Sequence, residues 1–127
     1  MKMATTYLER VKRAAIKRDW DKADQEMQTM LLGASEEELQ DIRAALVVLA
    51  SDCEKLKQTE LALWAYEWVA QLAPTYAPAY LRLAAHYERQ GQRPMAVEWL
   101  KRGIEMTADS DDSQQLHRAY KRIASRR

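Results

Sequence analysis

An internal repeat constrains this chain more than any other feature. Displaced against itself by 34 residues, the sequence lays Leu46, Leu49, Ala50, Cys53, Ala62, Tyr66 and Pro74 on Tyr80, Leu83, Ala84, Tyr87, Ala96, Leu100 and Ala108. Leu46, Leu49 and Tyr66 fall on large apolar residues and Ala50 and Ala62 on alanines, at the three- and four-residue spacing of helices, while Cys53 falls on the larger Tyr87. A unit of this length cannot bury its apolar face alone, so its copies must stack on one another. Composition agrees. Only three Gly and three Pro interrupt a chain rich in Ala, Leu, Glu, Lys, Arg and Gln, the good helix formers, so strands are not expected.

Seven helices are expected. Thr6 to Lys17 carries Tyr7, Val11, Ala14 and Ala15 at helical spacing, with Thr6 and Glu9 matching a capping box. From Trp20 a second stripe, Ala23, Met27, Met30 and Leu31, runs to Gly33, which suits a left-handed stop. Ser35 with Glu38 opens a long third helix whose stripe is Leu39, Ile42, Ala45, Leu46, Leu49, Cys53 and Leu56. Thr59 is a candidate cap for a fourth helix with Leu61, Ala62, Ala65, Tyr66 and Val69, ending before Pro74. Pro78 sits at the start of a fifth, and Gly91 supplies the turn into a sixth that opens at Pro94 and carries Met95, Ala96, Trp99, Leu100 and Met106. The last begins between Ser110 and Ser113, with Asp111 and Asp112 in its first turn and Lys121, Arg122, Arg126 and Arg127 towards its end.

The run Ala79-Tyr80-Leu81-Arg82-Leu83-Ala84-Ala85-His86-Tyr87-Glu88-Arg89-Gln90-Gly91, followed by Ala96 and Trp99-Leu100, resembles the tetratricopeptide repeat. Small Ala50, Ala62, Ala84 and Ala96 let antiparallel helices approach, while Leu46, Leu49, Tyr66, Tyr80, Leu83, Tyr87 and Leu100 fill the space around them. A weaker first copy matches Tyr7, Val11, Ala14, Ala23 and Met27 to Leu46, Ala50, Cys53, Ala62 and Tyr66 at a shift of 39, five residues longer. Lys57 in place of the turn Gly, Gly103 in place of a packing Ala and Ala108 in place of Pro are departures from the pattern. The expected architecture is an all-α solenoid in one domain over residues 1–127: helix pairs about 6–33, 36–73 and 77–107, then a capping helix about 110–126.

Twenty basic and nineteen acidic residues leave a net charge of +1, so no global field draws in polyphosphate or an anionic membrane. No stretch approaches the roughly 20 apolar residues of a membrane span, and Met1 to Tyr7 has no apolar leader core. The single cysteine, Cys53, reads as a small buried hydrophobe, which fits a reducing, cytoplasmic location. His86 and His117 lie 31 residues apart without metal-ligand spacing, and three glycines cannot build a phosphate loop. Neither a metal, a cofactor nor catalysis is expected. The basic run Arg118, Lys121, Arg122, Arg126 and Arg127 could meet phosphates, but it also complements a helix dipole on a cap held by Leu116, Ala119, Tyr120 and Ile123. Nucleic acid is therefore the weaker candidate partner, and Trp64, Trp68 and Trp99 are read as packing residues.

The resemblance implies a concave groove lined by the first helix of each pair. Carried over, its positions are Leu8, Lys12, Ala15 and Ile16, then Ala44, Val47, Val48 and Ser51, then Leu81, Arg82, Ala85, Glu88 and Arg89. The family's carboxylate clamp needs Lys, Arg and Asn, and this chain has no Asn. With an apolar centre at Val47, Val48 and Leu81, the groove suits another protein's amphipathic helix or extended apolar segment. The expected function is that of a non-catalytic adaptor or chaperone-like holder, similar to the small tetratricopeptide chaperones of bacterial secretion systems. Self-assembly through the same stripe into a homo-oligomer or scaffold is the alternative.

Overall fold

The computed structural model describes residues 3–125, with side chains from Leu8 onward. Tyr7's side chain, Arg126 and Arg127 lie outside the described residues. The fold is all-α: α1 (Met3–Ile16), α2 (Trp20–Leu32), α3 (Glu36–Lys55), α4 (Thr59–Leu72), α5 (Ala77–Arg89), α6 (Arg93–Met106) and α7 (Ser113–Ala124). The strongest packing joins α1 to α2, α3 to α4 and α5 to α6, so the chain is a row of three helical hairpins with α7 against the last.

The three hairpin turns are copies of one another. Arg18, Lys57 and Gly91 all take the left-handed conformation, at φ 60, 62 and 77°. They stand 39 and 34 residues apart, the same two shifts that relate the repeats. Around each, two amides fold back on the preceding helix. Asp19 donates to the Ala14 carbonyl at 3.0 Å, Gln58 to Cys53 at 2.8 Å and Gln92 to Tyr87 at 2.8 Å, while Arg18, Lys57 and Gly91 donate to Ala15, Glu54 and Glu88. This is the Schellman closure, which satisfies the helix's last carbonyls and reverses the chain at once. Lys57 therefore occupies the turn glycine's place with the glycine's backbone.

Capping follows the sequence in part. Ser35 and Glu38 form the full box, each side chain accepting the other's amide at 3.2 Å. Pro78 and Pro94 sit in the first turns of α5 and α6. Thr6 is no cap, because α1 begins at Met3 and already encloses it. Gly33 ends α2 at φ −105°, outside the left-handed region, so its freedom is not used. Thr59 is the first residue of α4 rather than its cap; that place belongs to Gln58, which makes no side-chain bond. Asp112 caps α7 in position only, and both aspartates stand before its first turn instead of in it. Leu56, 71% exposed, leaves the α3 stripe because it lies in the closing turn.

Helix α4 is the centre of the array, with Leu61, Ala62, Trp64, Ala65, Tyr66, Trp68, Val69 and Ala70 all buried. One side of it meets α3 and another α5. Cys53 is buried in this core, and burial raises its thiol pKa, with Asp52 adding to the effect. The first hairpin joins differently: α1 only grazes α3, and the seam is made by large side chains of α2 and α4. At the far end α7 buries Leu116 and Ile123 against the third hairpin, and Arg122 pairs with Glu88 at 3.3 Å.

Candidate functional site

The first helices α1, α3 and α5 carry the positions the repeat resemblance assigned to a groove. Ile16 and Val48 are the exposed apolar members, at 65% and 59%. Val47 and Leu81, expected to be open, are half-buried and pack on the core together with Leu8. Ala15 is fully buried and cannot line a groove. Ala44 is exposed, and Ser51 and Ala85 are half-covered. Of the charged members, Lys12 pairs with Glu9 at 3.9 Å, Glu88 with Arg122, and Arg89 leans on His86, while Arg82 is exposed. The repeat-packing positions Leu46, Ala50, Ala62, Tyr66, Tyr80, Leu83, Ala84, Ala96 and Leu100 are buried; Leu49 and Tyr87 are half-buried.

A polar network crosses the second hairpin into the third. Glu54 of α3 accepts from the Tyr66 hydroxyl of α4 on one oxygen and faces His86 Nε2 of α5 at 3.0 Å on the other. Arg89 Nη2 lies 3.2 Å from His86 Nδ1. A guanidinium only donates, so in this pairing Nδ1 accepts from Arg89 and Nε2 is the nitrogen that faces the carboxylate. His86, 7% exposed, thus links α3 to α5 through Glu54. Burial pushes the Tyr66 pKa up, and the bond to Glu54 pushes it further. No group of three metal-ligating side chains occurs among the described residues.

A cavity of about 630 Å³ is lined mainly by α2, α4 and α6, with Pro74 and with Tyr80 of α5. Its walls are aromatic: Trp64 and Trp68 meet edge to face at 6.5 Å, and Tyr80 and Trp99 meet tilted at 6.4 Å. Both α4 indoles donate to one oxygen of Asp24, each at 2.9 Å, so a single carboxylate clasps α4 from α2. Trp20 completes the clasp by stacking on Trp64 at 6.2 Å. Glu67 stands half-buried in the same cavity with no hydrogen bond or ion pair. Burial raises its pKa, Asp24 adds to the rise, and Arg102 opposes it. Arg102 lies 5.0 Å over the Trp99 ring. The helical spacing of the tryptophans predicts packing residues and carries no sign of this cavity, whose carboxylates and cation come from three separate helices. Four Trp in a chain without Phe was the available signal.

No family model matches the chain, and no curated protein matches it. Among solved structures, the chain is similar to one described as the crystal structure of MamA protein, with 16% identity, 95% of this chain and 87% of that chain covered, and a TM-score of 0.47. The hairpin architecture described above rests on this chain's own contacts.

Proposed function

We propose that the chain is a non-catalytic protein-binding module that holds an amphipathic or apolar segment of a partner against the first helices of its repeats. The observation that supports this is the pair Ile16 and Val48, two β-branched residues more than half exposed on α1 and α3. Full burial of such a side chain is worth roughly 1.5–3 kcal/mol, which a covering partner recovers. Lys12, Arg82 and Arg89 on the same first helices add positive charge that suits the polar side of an amphipathic guest. An adaptor or chaperone-like holder works in this way, and no helix among the described residues is long and apolar enough to cross a membrane.

The test compares partners captured from the native host by wild type and by Ile16→Glu with Val48→Glu. These positions are preferable to Val47 and Leu81, whose partial burial would confound loss of binding with loss of fold. Loss of specific partners by a folded double variant is expected, and identical partner sets would refute the reading. Light scattering addresses self-assembly through the same stripe: a species of about twice the 14.8 kDa chain mass that the double variant returns to monomer would make the chain its own partner.

A further inference from the structure

We infer that the cavity between α2, α4 and α6 is a receptor for a basic side chain, arginine or lysine, presented by a partner protein. Four aromatic side chains and two carboxylates line it, a combination that attracts a cation through ring quadrupoles and charge together. Its volume, about 630 Å³, lies within the range of about 300–1,000 Å³ of ligand pockets and admits a side chain with part of the backbone carrying it. The cavity opens to solvent past Gln28, Gln71 and Met106, so an arm from another chain can enter.

Charge decides the sign of the guest. Asp24 and Glu67 outweigh Arg102 by one negative charge among the lining residues. The Asp24 carboxylate is already engaged by two indoles, whereas Glu67 is half-buried and takes part in no hydrogen bond or ion pair. Burial of the Glu67 carboxylate is offset only in part by the Arg102 charge, and an incoming cation relieves the remaining cost. The chain also carries an example of the guest it would accept: the Arg102 guanidinium over Trp99. Arg102 is an internal competitor for the aromatic surface, and an incoming basic side chain adds to or displaces it.

This site is separate from the first-helix face and is tested apart from it. Tryptophan emission reports directly, since Trp64, Trp68 and Trp99 line the cavity. The probe is a short acetylated peptide with one central arginine between alanines, compared with the same peptide carrying glutamine. Saturable binding of the arginine peptide alone is expected at low salt. Glu67→Gln should weaken it about tenfold, the scale of a partly desolvated cation contact. Arg102→Gln should tighten it, because it removes the competitor and one positive charge. Glu36→Gln, at the start of α3, controls for overall charge and should change nothing, and circular dichroism checks that each variant is folded.

Equal affinity for both peptides, or equal affinity of wild type and Glu67→Gln, would overturn the inference. So would weaker binding by Arg102→Gln, which would show that Arg102 helps to hold the peptide instead of competing with its arginine. Binding of free arginine amide without binding of the peptide would remove the protein partner. Ile16→Glu with Val48→Glu should leave this titration unchanged, so failure of the groove and failure of the cavity are read independently.

Discussion

The Tyr80 ring lies where a side chain on Gly103 would have to be: a β-carbon added to Gly103 would stand 2.7 Å from Tyr80 Cγ and 2.9 Å from Cδ2. These atoms are at the ring's root, fixed by the Tyr80 hydroxyl bond to the Pro74 carbonyl at 2.7 Å, so the ring cannot swing aside. Alanine is the better helix former by about 1 kcal/mol, but overpacking of this kind costs roughly 1–3 kcal/mol. Gly103→Ala is expected to destabilise by about 1 kcal/mol net despite its helix propensity. A urea unfolding midpoint at or above that of wild type would contradict the close packing.

Lys57 and Arg18 pay for a glycine's backbone with a side chain. Left-handed φ costs a non-glycine residue about 1–2 kcal/mol, and glycine's greater unfolded freedom cancels only part of that. Lys57→Gly should therefore stabilise by about 0.5 kcal/mol, raising the thermal midpoint by roughly 2 °C. Gly91→Lys should lower it by a similar amount. Arg18→Gly should gain less, because it also removes the exposed Arg18–Glu60 contact at 3.5 Å.

Asp24 holds two indole N–H groups with one oxygen, so its loss leaves two partly buried donors without an acceptor. Asp24→Ala should cost about 2–4 kcal/mol and shift tryptophan emission, while Asp24→Asn, which keeps a carbonyl oxygen there, should recover much of it. Equal stabilities for the two variants would show that the clasp contributes through packing alone.

Glu67 gives a pH signature. Its folded pKa is raised by burial above the unfolded value, so the folded state holds the proton more tightly. Its favourable contribution is complete below the ordinary carboxylate pKa and disappears as pH rises through the raised folded value. Above that folded pKa the ionised carboxylate therefore weakens the fold. Glu67→Gln should be more stable than wild type at pH 7, and the difference should shrink as pH is lowered towards 4. A gap independent of pH in chemical denaturation would contradict the buried-carboxylate account.

The helices and their order were legible because apolar spacing, Ser35 with Glu38, Pro78 and Pro94 are local signals. Turn chemistry was less so: Lys57 and Arg18 adopt a conformation their residue type disfavours, because the hairpins packed on either side require the reversal there. Gly33 has the freedom and does not use it. The exposure of Val47 and Leu81 could not be read from alignment alone, since the packing of neighbouring elements decides how much of each is covered. The cavity was beyond local reading altogether. Asp24, Glu67 and Arg102 are separated by 43 and 35 residues, and only hairpin stacking brings them to one face.

The narrow seam between the first hairpin and the rest predicts two cooperative blocks of unequal strength. Since α1 scarcely reaches α3, opening the Trp20, Asp24, Trp64 and Trp68 contact frees α1 and α2 together while α3 to α7 stay assembled. Hydrogen exchange should show residues 8–32 protected less than 61–70 and to a common extent, as one unit that opens below the global unfolding free energy. Uniform protection across both would mean the array melts as a whole. A partner or cation engaging the face of α2, α4 and α6 would then slow exchange in α1, a helix it never touches, and so announce its binding at the far end of the molecule.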